Sequence, residues 1–327
     1  MAATLTAVAA HADVSLATAS RVFSDPGRVA AATRQRVLET AQRLGYTTTG
    51  QPGARTFGLI VPDIANAAFG ALARSLQEYA WPGRHRLLLA STAEYADRER
   101  EHIATFAAAA DGLIVCSPRI GGAEIRRLTG AVPLVVINGD ADDTAGIPQI
   151  RMDARDGLFA AVEHLAALGH RRIAYVPGPR RAWAEAERSA AVREGCRERG
   201  LDLVTVGNQA ATVNGGLAAA ASVVAGGATA VIAYNDLVAV GVIAGARTLG
   251  RRCPEDLSVV GVDDVDLAAV MDPGLTSVRV GLERSGPLAV EALLAQLSGR
   301  ALPTEPLSLG SQLIVRGSTF IAGPEQR

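Results

Sequence analysis

The stretch FGLIVPDIANAAFGALARSLQEYA, residues 57–80, joins a short apolar run to a longer segment with helical spacing. Its first six residues, FGLIVP, are typical of a buried strand. The remainder predicts a helix whose inward face carries Phe69, Leu72, Ala73, Leu76 and Tyr79. A strand followed closely by an amphipathic helix is the repeating unit of a parallel sheet covered by helices.

Further apolar runs repeat this unit along the chain, separated by alanine-rich segments. They are HRLLLAST, DGLIVC, PLVVIN, RRIAYVPG, AVIAYND and LSVVGVDD. The segment GLFAAVEHLAALG, for example, has a helical stripe made of Leu158, Ala161, Val162, Leu165 and Leu168. The predicted fold class is therefore α/β, doubly wound, with helices on both faces of parallel strands.

The spacing of these runs predicts two lobes. Four strands precede a break at GDADDTAGIPQI, residues 139–150, and three follow before DPGLTSVRVG, residues 272–281. We expect one lobe at about 57–150 plus 281–310 and the other at about 151–280 plus 311–327. A small ligand would bind in the cleft between them, where the carboxyl ends of the strands meet.

Residues 1–46 differ from the rest because they contain three short helical patterns and no strand run. The connector TTTGQPGART, residues 47–56, separates them from the core. Asp13 stands in a tight turn that requires a left-handed residue, and Ser15 is a natural helix N-cap. The inward faces of the three helices are predicted to carry Leu5, Val8, Ala9, Ala19, Val22, Val37, Leu38, Ala41 and Leu44.

The second of these helices has a polar outer face. With Val14, Ala19 and Val22 held inward, the side chains left outside are Leu16, Ala17, Thr18, Ser20 and Arg21. Arginine pairs with guanine, hydroxyls bind phosphates, and small apolar groups contact thymine methyls. This face is typical of a helix-turn-helix recognition helix. The alternative is a small interaction bundle on which Arg21 is merely solvated.

Composition excludes several classes of protein. Hydrophobic residues make up 49% of the 327 residues, and 32 basic residues nearly balance 33 acidic ones, so the net charge does not favour nucleic acid or oppose it. All the basic residues are arginines, which excludes Schiff-base and P-loop lysine chemistry. The sequence has no membrane-length apolar run and no secretory signal pattern.

Cysteines and histidines point to no cofactor or metal. Cys116, Cys196 and Cys253 lie far apart in or beside apolar runs, which predicts buried reduced thiols and a cytoplasmic protein. The five histidines have no metal-ligand spacing. His164 and His170 are interpreted as a surface residue and a cation at a helix C-terminus.

The segment TLTAVAAHADVSLATASRVFSDPGRVAAATRQRVLETAQRLGY, residues 4–46, closely resembles the DNA-binding headpiece of the lactose-repressor (LacI/GalR) family. The core resembles the family's effector-binding domain, which is shared with type I periplasmic sugar-binding proteins. The matching motifs cover nearly the whole chain and include GLIVPDIANAAF, HLAALGHRRIAYVPGP, AYNDLVAVGVI and PEDLSVVGVDD. The resemblance implies a helix-turn-helix headpiece, two periplasmic-binding-protein-like lobes, and a transcriptional regulator rather than an enzyme.

The resemblance also implies roles for individual residues. Leu16, Ala17 and Arg21 match residues that read base edges, and a second set contacts or supports phosphates: Ser15, Thr18, Ser20 and Arg28. It further implies a homodimer on a near-palindromic double-stranded operator. Effector-holding positions correspond to Asn66, Phe69, Asn138, Asp153, Arg188, Asn235 and Asp263, whose chemistry suits a sugar. Each of these polar residues could instead cap a strand end or make a surface contact.

The chain departs from the family pattern at several positions. Asp13 replaces a glycine, and Ala30 replaces a hydroxyl cap, at an expected cost of about 1 kcal/mol to the third helix. The connector 47–56 is shortened, lacks an Ala-Arg-x-Leu hinge helix and contains helix-breaking Gly and Pro. In the cleft, Ala67 and Ala68 replace larger residues, and Trp183 or Trp81 could supply an aromatic surface.

The leading hypothesis is a repressor controlled by a small sugar-like effector in the cleft. A cytoplasmic sugar-binding sensor with a degenerate headpiece is the second interpretation. A nucleotide-dependent enzyme is poorly supported, because no G-x-G-x-x-G follows a strand and no Walker sequence occurs.

Overall fold

The structure is a computed structural model that describes residues 5–24, 29–44, 54–140, 146–300, 302–303 and 305–323. By internal contacts the chain forms two units, 1–55 with 83–85, and 56–82 with 86–327. The predicted phosphate contact Arg28 and residues 47–53 of the connector lie outside the described residues.

The first unit contains three helices, α1 (Leu5–His11), α2 (Leu16–Ser24) and α3 (Ala31–Arg43). Their small apolar core consists of Val8, Ala9, Ala12, Ala19, Val22, Val37 and Ala41. Asp13 adopts the predicted left-handed conformation, with φ of 50°. The Arg36 Nε donates to the Ala12 carbonyl at 3.0 Å and so ties α3 to the turn before α2. Leu38 was expected inside but is exposed, because it lies on the outer side of α3.

The second unit alternates strands and helices, as the sequence predicts. Its strands are β1 (Thr56–Val61), β2 (Arg86–Ser91), β3 (Gly112–Cys116), β4 (Leu134–Ile137), β5 (Gln149–Met152), β6 (Arg172–Val176), β7 (Asp202–Thr205), β8 (Ala230–Ala233), β9 (Ser258–Asp263), β10 (Thr276–Arg279), β11 (Leu307–Leu309) and β12 (Gln312–Ile314). Its helices are α4 (Ala67–Ala80), α5 (Ala96–Ala109), α6 (Gly122–Thr129), α7 (Arg155–Ala167), α8 (Trp183–Glu198), α9 (Val213–Ala225), α10 (Asp236–Thr248), α11 (Asp266–Val270) and α12 (Leu282–Leu297).

These strands form two sheets, each the centre of one lobe. In lobe 1 the order is β2-β1-β3-β4-β5-β11, and all its pairs are parallel. In lobe 2 the order is β7-β6-β8-β9-β10-β12. The last strand of lobe 2 departs from the expected parallel sheet, since β12 runs antiparallel to β10.

Helices cover both faces of each sheet. In lobe 1, apolar side chains of α4 and α12 pack on one face and those of α5 and α6 on the other. In lobe 2, α7 and α8 cover one face and α9 and α10 the other. This layering places the loops after the parallel strands at a single edge of each sheet.

The chain passes between the lobes three times, at 153–154, 280–281 and 310–311. The expected lobe boundary at residue 150 therefore cuts through β5, which belongs to lobe 1 as far as Met152. The strand was not predicted because its sequence, QIRM, has no apolar run.

Two side-chain predictions in the second unit are wrong. Tyr79 lies on the outer side of α4, where its hydroxyl donates to Glu291 at 2.5 Å. His170 is neither a surface residue nor a helix cation: it is buried, and its ring contacts Thr229, Ser258 and the Phe320 carbonyl at 2.8–3.1 Å. Burial lowers the pKa of His170, which favours the neutral ring.

Candidate functional site

Helix α2 presents the outer face that its sequence predicts. Ala19 and Val22 are buried in the headpiece core, whereas Leu16, Ala17, Ser20 and Arg21 are exposed. Ser15 begins the helix: its hydroxyl accepts from the Thr18 N–H at 3.1 Å and lies 2.9 Å from the Thr18 hydroxyl. The fold thus fixes the backbone of α2, and a leucine, an alanine, a serine and an arginine are exposed on one surface.

In lobe 2, the structure brings two predicted effector residues together at the carboxyl edge of the sheet. Asp263 ends β9, and Arg188 reaches it from α8 with an N–O distance of 3.0 Å. The same guanidinium donates to the Tyr234 carbonyl and lies 4.7 Å from the centre of the Tyr234 ring. Both charged side chains are less than a tenth exposed, so the ion pair is a buried one.

Tyr234 follows β8 and was missed by sequence reasoning. Its ring lies against Gly178, where an added Cβ would come within 2.5 Å of the ring, so only glycine permits this packing. Glu185 supports the same region, accepting from the Gly178 N–H at 2.7 Å and from the Tyr175 hydroxyl at 3.1 Å. The ring is therefore held between the Gly178 backbone and the Arg188 guanidinium, which favours a cation–π contact.

The predicted asparagines carry structural hydrogen bonds. Asn66 and Asn235 cap α4 and α10, with their Oδ1 atoms accepting from Ala68 at 3.1 Å and Val238 at 2.9 Å. Asn138 has a φ of 54° after β4, and its Oδ1 accepts from the Met152 N–H at 2.8 Å. All three are buried. Their amide oxygens are thus occupied by backbone donors.

The two remaining predicted residues, Asp153 and Phe69, lie at the starts of α7 and α4. Asp153 stands at the first crossing between the lobes, and its Oδ1 accepts from the Arg155 N–H at 2.8 Å. Phe69 packs against the lobe 1 core from α4 and is partly buried. Trp183 also begins a helix, with the Arg151 guanidinium 5.1 Å above its ring, whereas Trp81 is largely exposed.

Lobe 1 contributes a second buried arginine that the sequence analysis did not single out. Arg119, after β3, pairs with Glu94, after β2, at 2.5 Å and donates to the Ser117 carbonyl at 2.6 Å. Glu99 accepts from the backbone N–H of Arg119 and Ile120 and so fixes this loop. The signal that could have found these residues is position, since loops after parallel strands line the ligand cleft.

The pKa values of groups at the two sheet edges receive contributions from charges of both lobes. Burial raises the pKa of the Cys116 thiol, at the end of β3, to about 12; Arg119 opposes the rise and Asp263 of lobe 2 adds to it. Burial also raises the pKa of Tyr234 in lobe 2; the Arg188 charge and Arg119 of lobe 1 oppose the rise, and Glu94 of lobe 1 adds to it. Burial raises the pKa of Asp263 while the Arg188 charge lowers it.

A cavity of about 590 Å³ lies between the lobes beside Asp263. The start of α4 forms one wall, the loop from Asp263 to Leu267 another, and the two crossings at 280–281 and 310–311 complete it. Its size suits a small organic ligand.

The described part of the chain includes neither a candidate metal-ligand cluster nor a candidate membrane-spanning helix. No three His, Cys, Asp or Glu side chains there converge as metal ligands. None of the helices in the described segments combines the length and apolar character that crossing a bilayer requires. The thiols of Cys116 and Cys196 are free and buried as predicted, whereas Cys253 is partly exposed.

Comparison with known proteins agrees with this architecture. Residues 4–49 match the family model of bacterial regulatory proteins, lacI family, and residues 162–319 match that of a periplasmic binding protein-like domain. The HTH-type transcriptional regulator MalR of Streptomyces coelicolor is 34% identical over 98% of this chain and 97% of its own length. The HTH-type transcriptional repressor CytR of Escherichia coli is 29% identical over 97% of this chain and 96% of its own length.

Solved structures show the same fold. The transcriptional regulator CelR in complex with cellobiose is 28% identical, with a TM-score of 0.68 over 97% of this chain and 99% of its own. The lac repressor dimer bound to operator and an anti-inducer is 23% identical, with a TM-score of 0.77 over 98% of this chain and 100% of its own. With a helix-turn-helix headpiece and two parallel-sheet lobes along its whole length, the chain belongs to the lacI family of bacterial regulatory proteins and is a transcriptional regulator.

Proposed function

We propose that this regulator is a cytoplasmic repressor that binds a near-palindromic operator as a homodimer and is controlled by a hydroxyl-rich small molecule in the cleft. The observation that carries the proposal is the exposed face of α2 on a folded three-helix core. A headpiece of this size reads few base pairs, so two copies are needed for useful specificity.

On the DNA side, each exposed group has a distinct role. Arg21 binds a guanine edge in the major groove, and Leu16 and Ala17 make apolar contacts with bases. Ser15, Thr18, Ser20 and Arg28 contact or support phosphates and set the position of α2.

On the effector side, the contacts come from both lobes. Arg188, Asp263 and Asn235 bind ligand hydroxyls from lobe 2, and Asn66, Phe69, Asn138 and Asp153 line the rest of the site. The effector changes DNA binding through its different affinity for the two arrangements of the lobes. The CelR–cellobiose complex supports a sugar-like ligand, since a relative of the same fold binds a disaccharide.

The test begins with an operator selected from a random duplex pool by the full-length protein. Gel shifts then compare wild type with the double variant Leu16→Ala/Arg21→Ala. We expect each missing base interaction to weaken operator binding by about 1–3 kcal/mol, and preference over random competitor to disappear. The control is Leu38→Ala/Arg43→Ala, which removes the same two side-chain types from exposed positions of α3.

Equal operator affinity in wild type and the α2 variant would remove the direct-readout role of α2. If the wild-type protein selects no duplex at all, the headpiece does not bind DNA specifically, and a sugar-binding sensor is the better description.

A further inference from the structure

The two buried arginines at the cleft are each neutralised by a carboxylate of the same lobe. In lobe 1, Arg119 and Glu94 are 2.5 Å apart, with the arginine side chain 5% exposed and the glutamate 34%. In lobe 2, Arg188 and Asp263 are 3.0 Å apart, at 7% and 9% exposure. Each guanidinium also donates to a backbone carbonyl, of Ser117 and of Tyr234 respectively.

Both pairs lie at the carboxyl edges of their sheets, although at different strands. Glu94 and Arg119 follow β2 and β3, and Asp263 ends β9 beside the loop that follows β8. A ligand between the carboxyl edges therefore meets a guanidinium and a carboxylate on either side. The carboxylates Glu99 and Glu185 lie behind the pairs, where they accept from backbone N–H groups. Neither supplies a positive charge that a phosphate could bind.

A sugar hydroxyl suits such a surface, because one hydroxyl can accept from the guanidinium and donate to the carboxylate at once. A phosphate monoester only accepts at these positions. To bind Arg119 or Arg188 it must displace the carboxylate or lie beside it, and either arrangement leaves like charges close together in a poorly solvated site. The paired carboxylates thus act against anionic ligands.

Other arginines near the cleft do not reverse this balance. Arg151 lies over the Trp183 ring, with one buried donor, Nε, that has no hydrogen-bond partner within the described residues. Arg180 and Arg181 after β6 are exposed, and exposed charges contribute little to selectivity. The cavity beside Asp263 is lined by three arginines and four carboxylates: Arg74, Arg279, Arg284, Asp263, Asp264, Asp266 and Glu283.

We infer that the effector is an uncharged polyhydroxy compound, and that Glu94 and Asp263 exclude its phosphorylated counterparts. Arg119 and Glu94 are then specificity-determining residues of lobe 1, although neither was expected from the sequence. The inference rests on the proposed effector cleft, and it narrows the ligand from sugar-like molecules in general to neutral ones.

The experiment uses the full-length protein and matched probes: glucose and trehalose, their 6-phosphates, and inorganic phosphate. Thermal shift and calorimetric titration measure binding to wild type, Glu94→Gln, and Glu94→Gln/Arg119→Met. Wild type is expected to bind any phosphate ester at least ~10-fold more weakly than its parent sugar. Glu94→Gln frees the Arg119 guanidinium and should gain at least ~10-fold in affinity for inorganic phosphate, a gain that Arg119→Met removes.

The matched control is Glu194→Gln, which frees Arg155 from a pair whose side chains are 34% and 49% exposed. This variant should gain no phosphate affinity, because solvent already screens the pair. A wild-type protein that prefers a phosphate ester over its parent sugar would overturn the inference. So would a Glu94→Gln variant whose phosphate affinity is unchanged.

The two proposals can fail separately. Suppose that no sugar binds wild type but that Glu94→Gln gains phosphate binding that depends on Arg119. Glu94 then does neutralise Arg119, and the proposed sugar effector is wrong. If sugars bind wild type but their phosphate esters bind equally well, and Glu94→Gln gains no phosphate affinity, the effector cleft stands and the exclusion of anions is wrong.

Discussion

The two sheet edges that face the cleft each hold an ion pair and an asparagine helix cap, but only the residues of the lobe 2 ion pair were expected from the family resemblance. In lobe 2, Arg188 and Asp263 come from separate elements and meet as a buried ion pair under the Tyr234 carbonyl. In lobe 1, the predicted residues Asn66 and Asn138 have their amide oxygens bound to backbone N–H groups. The lobe 1 ion pair is instead made by Arg119 and Glu94, which the family resemblance did not indicate.

These contacts show that a polar residue after a strand serves one of two needs. Some satisfy the backbone groups left unpaired where a strand ends and a helix begins. Other polar side chains are held by an oppositely charged side chain instead of by the backbone, as in the two ion pairs, and these side chains can contact a ligand. Removing each kind of residue should therefore affect stability and ligand binding in different proportions.

The largest effect is expected at the lobe 2 pair. Arg188→Ala leaves Asp263 buried without its cation, which should lower the free energy of unfolding by about 3–5 kcal/mol. It should also abolish the thermal shift caused by whichever neutral sugar binds wild type, while operator affinity stays nearly unchanged. Urea unfolding, thermal shift and gel shift measure the three quantities.

The control for this variant is Arg155→Ala. Its pair with Glu194 is half-exposed, so the loss of stability should stay below about 1 kcal/mol. Equal losses in the two variants would mean that the Arg188–Asp263 pair is well solvated, and an unchanged ligand shift in Arg188→Ala would mean that the pocket lies elsewhere.

Apolar runs were enough to predict most central strands and the edge strand β2, but β5, β7, β10, β11 and β12 were missed. Strands β1, β3, β4, β8 and β9 are covered on both faces and therefore consist of continuous apolar residues. Strands β5, β7, β11 and β12 are only three or four residues long and include polar residues. Each has at least one position that is not fully buried. Such short segments carry no periodic signal.

The site was only partly predictable for a related reason. Arg188 and Asp263 are 75 residues apart, so their contact depends on the packing of α8 against the sheet and not on local spacing. Tyr234 is adjacent to the predicted Asn235, yet its role depends on Gly178 leaving room for the ring. The outer face of α2, by contrast, follows from helical periodicity within nine residues.

The second prediction concerns Asp236, whose carboxylate fixes the loop beneath the lobe 2 pair. It accepts from the Ser277 hydroxyl at 2.6 Å and from the Val265 N–H at 2.9 Å. Burial raises its pKa to about 7, with a further contribution from the Asp263 charge. A carboxyl with a raised pKa in the folded state stabilises the fold at low pH and loses that contribution as pH rises.

The wild-type protein should therefore lose a few kcal/mol of stability from this group between about pH 4 and pH 7. Asp236→Asn should remove that dependence, so the difference between the two unfolding free energies should change steadily across the window. Urea midpoints at several pH values measure it. Taking the difference cancels the opposite contribution of buried His170; a difference that stays constant with pH would show that Asp236 is ionised throughout.

The third prediction tests the support of the Tyr234 ring. Gly178→Ala places a methyl group within 2.5 Å of the ring, and such overpacking should cost about 1–3 kcal/mol. Because the ring also contacts the Arg188 guanidinium, sugar affinity should fall as well. The matched control is Gly207→Ala in the same lobe, where an added Cβ meets nothing within 4 Å. If both variants unfold at the same urea concentration, the ring moves aside freely and does not organise the site.

The smallest effect is expected at Asn66 in lobe 1, where capping and ligand binding can be separated. Asn66→Ala removes the cap of α4 and should cost about 1 kcal/mol. Asn66→Ser keeps an acceptor for the Ala68 N–H and should restore stability, since serine and asparagine cap helices almost equally well. Serine lacks the amide donor, however, so sugar affinity should remain reduced in both variants. Calorimetric titration that finds wild-type affinity in Asn66→Ser would mean that Asn66 is only a helix cap, and lobe 1 would then contact the effector through Arg119 and Glu94 instead.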